Sequence, residues 1–469
     1  MIPDTQNKIV ILLPDGVGLR TFAYTKLPQL ATDGSCDLIF WNNTAMSLSS
    51  LGLNEVIFSG SRLHPLTDLY KNARKEIELN LFSGRFKDNV YDTYRFPLKA
   101  RNFKSGMRIL FTKYLITRFG SDTGLAKIRS RIHQLERSTE AYKKSVDFLK
   151  TNKPDLLFCS NQRHSSAIAP ILAARDLGIK TATFIFSWDN LPKATMVLEC
   201  DYYFVWSGLM KKQLLEYYPY ISEEQIVVCG TTQFESHYDE NEMLSKEVFF
   251  RLNNLDASKE YVCYSGDDIT TSPDDPSYLR DTALAIEKLN LQGYQLGILF
   301  RRCPVDFSSR YDDVLNEFSH LITAVDPIWE ARGESWQSVV AMPEDSKLLA
   351  NTARHTFGAI NLGSSMVFDF AAHQKPCAYI NYNHPERSDK SWDIDKIYKY
   401  VHFRSMPSKE SVIWLDSPES IAGAILQMLE NPKPTIDHAT QWFEKITLMP
   451  ANSASERIFK AMQEIITGA

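Results

Sequence analysis

The chain has 469 residues, more than a single hydrophobic core usually supports, so two domains are expected. Apolar residues make up 44% and charged residues 23%, which excludes wholesale disorder. The net charge of −5 argues against nucleic acid as the main partner, whose footprint is basic.

No apolar run approaches the roughly 18–20 residues of a membrane-spanning helix. The first one, Ile9 to Leu13 in "KIVILLP", is too short for a signal peptide and reads as a buried strand. The loop that follows, "DGVGLRTF", holds Asp15, Gly16, Gly18 and Arg20. "DLIFW" is the next strand. Residues 83–137 then break the pattern, with thirteen Lys/Arg against four acids and Phe and Tyr interleaved throughout. Basic residues mixed with aromatics suit an anionic membrane surface or a phosphate-bearing acceptor, although a solvated helical face would look the same.

Strand-like runs resume with "DLLFCS", whose following loop carries His164 before a helix over 165–177. "TATFIFS" is followed by Trp188 and Asp189 in "SWDNLPK". "DYYFVW", a helix over 208–217 and "QIVVCG" close the first series. The alternation of buried runs with helix-length amphipathic segments is the α/β signal. It begins again after a junction near residues 236–250. The second series reads "YVCYSG", "QLGILFRR", "SVVAMP", "TFGAINLG", "PCAYINY" and "VIWL", with helices near 278–289, 346–353, 365–374 and 418–429. Two further helical patterns, broken by Pro450, end the chain. The seven cysteines (36, 159, 200, 229, 263, 303 and 377) have neither zinc-site nor disulfide spacing, which points to a reduced, cytoplasmic protein.

Parallel sheets present their strand C-termini to ligands, and a following helix offers unpaired amides to an anion. Four segments of the second series meet that description. Gly363, Ser364 and Ser365 form a turn before a helix that carries Asp369. Arg301 and Arg302 follow one strand, and Ser265 and Gly266 end another. Asp345 opens a helix shortly before the Gly-Ser-Ser turn. Helix capping, turn chemistry and surface charge are the plainer explanations of each.

The stretch "LLANTARHTFGAINLGSSMVFDFAAHQKPCAYINYN" resembles the donor-binding segment of GT-B glycosyltransferases of bacterial surface-polysaccharide synthesis (capsule or lipopolysaccharide). It also looks like that of CDP-glycerol glycerophosphotransferases. Its Leu-Gly-Ser-Ser turn departs from the Asp-Tyr-Ser-Ser of the latter and favours a nucleotide sugar. "FIFSWDNLPKATMVLECDYYFVWSGLMKKQLLEYYPYISEEQIVVCGTTQFE" is similar to the interdomain portion of such transferases, so the likeness spans roughly residues 150–380.

The resemblance implies an α/β fold of two Rossmann-like, doubly wound parallel-sheet domains, with C-terminal helices crossing back to the first. The expected boundaries are 1–238, completed by 438–469, for an acceptor domain with 83–137 inserted, and 239–437 for a donor domain. The donor would be held by Ser265, Gly266, Arg301, Arg302, Asp345, Gly363, Ser364, Ser365 and Asp369, the last on the ribose. No metal or other cofactor is expected, and "DID" at 393–395 matches a metal-binding Asp-x-Asp only by letter. Inverting transfer needs a base on the first domain. Asp15, His164 and Asp189 qualify, with Gly16, Gly18, Arg20 and Trp188 on the acceptor side.

The expected activity is therefore transfer of a sugar from a nucleotide-sugar to a surface glycan, lipid-linked or polysaccharide, at the inner face of the cell membrane. Three alternatives stay open: a polyol-phosphate transferase, a nucleotide-sugar epimerase, and a non-catalytic nucleotide-sugar-binding subunit.

Overall fold

A computed structural model describes residues 7–58, 62–95, 102–332 and 339–468. It divides into two units, Met1–Thr232 with Ser453–Ala469, and Gln233–Asn452.

The first unit is built on seven strands: β1 (Lys8–Leu13), β2 (Asp37–Asn42), β3 (Glu55–Ile57), β4 (Leu156–Cys159), β5 (Lys180–Phe184), β6 (Tyr202–Val205) and β7 (Ile226–Val228). All pair in parallel, in the order β3-β2-β1-β4-β5-β6-β7. A parallel strand is covered on both faces, so it reads as a continuous apolar run. In β1 the alternation of side chains sends Val10 and Leu12 into a core with Trp41, Ile77, Ile132 and Leu172. On the other face Phe22 meets Phe158 and Phe184 edge-on at 5.2 and 5.3 Å.

The terminal helix Ala454–Thr467 belongs to this unit. Its Phe459 ring lies where a Cβ on Gly34 would be 3.0 Å away, and Arg457 Nε donates to the Cys229 carbonyl at 2.8 Å. The helix before it, Lys433–Ile446, stays with the second unit, where Trp442 and Phe443 pack on Phe368. The return to the first unit therefore begins at Ser453 and not at residue 438.

Among the described residues the second unit has eight strands: β8 (Glu260–Ser265), β9 (Leu296–Arg301), β10 (Ile322–Ala324), β11 (Trp329–Ala331), β12 (Val339–Ala341), β13 (Ala359–Asn361), β14 (Cys377–Ile380) and β15 (Ile413–Leu415). Six form a parallel sheet ordered β10-β9-β8-β13-β14-β15, while β11 and β12 make a separate antiparallel pair. Each main sheet thus winds outward from its first strand in both directions. The order reverses between β1 and β4 in the first and between β8 and β13 in the second, and such switch points are where open α/β sheets bind ligands.

The basic, aromatic stretch is largely structural. Residues 96–101 lie outside the described residues. Of the remainder, Phe86 and Tyr91 pack on Tyr217, and the Tyr91 and Tyr217 hydroxyls are 2.9 Å apart. Arg85 pairs with Asp122, Arg95 with Glu76, Arg129 with Glu199 and Arg137 with Asp176. Ile128, Ile132 and Leu135 face the core. Among the described residues of the stretch, only the helix Phe103–Arg118 turns aromatic residues outward.

Candidate functional site

In the second unit the anticipated segments do converge. Strands β9, β8 and β13 are neighbours, so Arg301, Ser265 and Asn361 end side by side, with Ser265 opposite Arg301 in register. The direction of the side chains is another matter.

Arg301 is buried and donates from Nη2 to Asp345 Oδ1 at 2.8 Å. Asp345 also accepts from the Ile328 amide at 2.8 Å and from the Trp329 indole at 2.7 Å. Burial works against this carboxylate, but Arg301 and these donors hold it below the usual range. The pair explains both residues without a ligand, which corrects Asp345 as a donor contact. Arg301 Nη1 alone has no partner among the described residues. Arg302 donates to Asp326 at 2.7 Å and to the Ser308 carbonyl at 3.2 Å.

Asp369 is likewise turned inward. It is buried, and its Oδ1 lies 2.9 Å from His237 Nε2, whose Nδ1 is 3.0 Å from His373 Nε2. Burial, with His237 next, pulls the His373 imidazole down to about 3. Asp369 accepts from His237 Nε2–H, which leaves the Nδ1 of a neutral His237 to accept from His373 Nε2–H. Asp369 is thus a buried structural partner and not a group open to a ribose.

Gly363 is left-handed (φ +68), as the turn requires. A Cβ here would meet Phe403 at 3.0 Å and Ile397 at 3.1 Å, so the space its missing side chain leaves is filled by protein and not kept for a phosphate. Ser364 is bound into the turn through Asn361 Oδ1, 2.8 Å from its amide, and Tyr379 Oη, 2.7 Å from its carbonyl. Ser365 opens the helix Met366–Ala372 with no side-chain cap bond. Gly266 leaves room for Tyr311 Oη, 2.8 Å from where its Cβ would stand, and for Asp275. Next to it Asp267 is pushed well above the carboxylate range by burial, then by Asp275 and Asp268. The "DID" segment is turn chemistry: Asp393 Oδ1 accepts from the Asp395 amide at 3.0 Å.

A cavity of about 670 Å³ opens beside these strands, at the ends of β14 and β15. Tyr398, Phe403 and Trp414 line it, with Asn381, Asp416 and Lys409. Asn381 Nδ2 donates to Asp416 Oδ1 at 2.6 Å. Tyr398 and Phe403 also cover Gly363, so turn and cavity share a wall.

The first unit gathers its candidates at its own switch point. Asp15 follows β1 and is buried, accepting from Asn161 Nδ2 at 2.7 Å and from the Val17 amide at 3.3 Å. Gly16 accepts from the Leu19 amide at 3.3 Å, and Arg20 is half-buried in the short helical turn Leu19–Ala23. A Cβ on Gly18 would stand 2.3 Å from Ser160 Oγ, so this glycine admits the β4 loop and not an acceptor. Ser160 Oγ is buried with no partner among the described residues.

His164, half-buried after β4, has Nδ1 2.7 Å from Ser166 Oγ. Burial pulls its imidazole below the usual range while Asp15 opposes this. With Nδ1–H donating to Ser166, the Nε2 lone pair is left for a proton. Asp189 is held by Ser187, Asn190 and Lys193, and Trp188 is buried. Asp189 is therefore a turn anchor, and Trp188 presents no open face to a sugar.

Sequence reasoning missed His237, His373, Asp267, Ser160 and the Tyr398 wall. Asp267 and Ser160 follow strands and were findable by that rule; the two histidines carry no local signal.

No family model matches the chain, and no curated protein matches it by sequence. Solved structures do. The S. aureus MnaA–UDP co-structure is 11% identical, with 98% of this chain and 97% of that chain covered and a TM-score of 0.52. UDP-GlcNAc 2-epimerase from Neisseria meningitidis bound to UDP-GlcNAc is 10% identical, with coverages of 97% and 100% and a TM-score of 0.52. A glycosyltransferase from Rickettsia africae is 11% identical, with coverages of 99% and 100% and a TM-score of 0.51. At these identities the likeness is one of fold: the chain has the architecture of two Rossmann-like parallel-sheet domains that glycosyltransferases and UDP-GlcNAc 2-epimerases share.

Proposed function

We propose that the chain is a glycosyltransferase whose second unit holds a nucleotide-sugar and whose first unit binds the hydroxyl of a surface-glycan acceptor. The observation that carries this reading is the grouping in the second unit. Three strand ends meet at the β8/β13 switch point, and a cavity of about 670 Å³, within the range of small-ligand sites, opens along the same edge of the sheet. The UDP and UDP-GlcNAc bound in solved structures of this fold support the choice of ligand.

In this reading Tyr398 and Trp414 face the base or sugar, the Asn381–Asp416 pair takes hydroxyls, and Ser365 with Lys409 meets the diphosphate. His164 Nε2 accepts the acceptor proton as the oxygen attacks the anomeric carbon and the bond to the diphosphate breaks, inverting the centre. Hydroxyls and a lysine suffice to carry the leaving charge, so activity survives a chelator.

A thermal-shift panel of UDP-, GDP-, CMP-, CDP- and dTDP-linked donors tests the reading. A bound donor at 100 times its dissociation constant stabilises by about 2.7 kcal/mol. Lys409→Ala with Asp416→Ala should remove the shift, and a flat response to every donor would overturn the proposal. CDP-glycerol in the same panel tests the polyol-phosphate alternative.

Asp267 favours a second reading. A carboxyl whose proton affinity is raised by burial and by Asp275 and Asp268, just past a strand end, suits proton transfer at a sugar carbon, as in an epimerase. Interconversion of UDP-GlcNAc without any acceptor would establish that reaction instead.

A further inference from the structure

The helix Phe103–Arg118 is fastened to the first unit by one face only. Thr112 and Leu115 are buried there, and Leu115 joins the core cluster of Leu69 and Ala73. The outer face carries Phe103 (87% exposed), Met107, Leu110 (63% exposed), Phe111 and Tyr114. At 3.6 residues per turn these five side chains fall within an arc of about 100°. Lys104 and Arg108 flank the stripe on one side and Lys113 on the other, Arg118 lies at its end, and the helix contains no acid. Single exposed apolar residues are ordinary, but a continuous stripe marks an interaction face. Its N-terminus is already closed by an Asn102/Ser105 capping box, so the face exists before any partner arrives.

We propose that this face docks on an anionic lipid surface, with the apolar stripe entering the interface and the four cations at head-group level. Charge selects this occupant. A two-fold contact with a second copy through the same helix would set four cations against four. An anionic surface is complementary to the helix and repels the rest of a chain whose net charge is −5, which orients the contact. Among the described residues no helix is long and apolar enough to cross a membrane, so the contact is peripheral.

Vesicle co-sedimentation of the full chain tests this. Binding is expected to phosphatidylcholine–phosphatidylglycerol vesicles, at least about tenfold weaker to phosphatidylcholine alone, and weakened by salt. Phe103→Ser/Leu110→Ser/Tyr114→Ser and Lys104→Glu/Arg108→Glu should each abolish it while the melting temperature holds, because every one of these side chains is exposed. Equal binding to both vesicle types, unchanged binding of either variant, or no binding by the wild type would each sink the proposal. So would a wild-type dimer that the serine variant converts to a monomer with vesicle binding intact.

Discussion

Asp369 Oδ1 lies 2.9 Å from His237 Nε2, with both side chains sealed from solvent. Replacing Asp369 by Asn should therefore cost about 2–4 kcal/mol in stability, since it leaves a buried imidazole without its charged partner. Urea denaturation gives the cost, and donor titration of the variant completes the test. A variant of native stability that has lost donor affinity would restore the ribose role.

The third member of that chain carries a pH signature. His373 is pulled down to about 3 by burial and then by His237, from an ordinary 6.5. The unfolded chain binds this proton more readily, so stability is full above about 6.5 and falls as the pH drops from there toward 3. His373→Gln should flatten that part of the acid limb in denaturant midpoints measured between pH 4 and 8. Superimposable limbs for variant and wild type would contradict the assignment.

Asp345 supports three donors, Arg301 among them, and Arg301 is buried. Asp345→Ala should destabilise by about 3–5 kcal/mol by leaving a guanidinium buried and unpaired. Arg302→Ala, whose partner Asp326 is largely exposed, should cost under about 1 kcal/mol. Chemical denaturation of both variants checks the contrast, and similar losses would count against it.

At Gly363 a methyl group meets both a left-handed backbone and the Phe403 and Ile397 side chains. Gly363→Ala should cost about 2–4 kcal/mol, the sum of conformational strain and overpacking. Gly423→Ala is the control: it sits in the helix Ser420–Glu430 with nothing near its Cβ position, and should gain about 0.5–1 kcal/mol. Thermal denaturation of the two variants should move in opposite directions.

On the proposed reading, in which the second unit holds the donor, His164→Ala should abolish transfer while leaving the donor-induced thermal shift intact. Asp189→Asn should lower the melting temperature more than the rate, given its bonds to Ser187, Asn190 and Lys193. A fully active His164→Ala enzyme would move the base elsewhere.

The strands that the apolar runs identify are those buried on both faces, as in β1, β4 and β8. Strands β3, β10 and β11 escape notice for the opposite reason: each has three residues, and each leaves most of its side chains at least partly exposed. The meeting of Arg301, Ser265 and the Gly-Ser-Ser turn was legible, since the parallel strands of one doubly wound sheet carry their C-termini on one edge. Side-chain direction was not. An acid near a helix start looks alike whether it faces a ligand or a neighbour, and the neighbour of Asp369 is 132 residues away. The same holds for Gly363, whose turn is local but whose cover comes from Phe403 and Ile397.

The closing helix Ala454–Thr467 bears on biosynthesis. Its Phe459 seals against Gly34, and its backbone carbonyls receive Lys180. The unit that leaves the ribosome first is therefore the last to be completed, and β1 to β7 must wait, with part of their cover missing, until the whole second unit has been translated. A stop codon before residue 454 would leave the second unit's sheet whole and expose apolar surface on the first, so its expected consequence is aggregation of the earlier-made half.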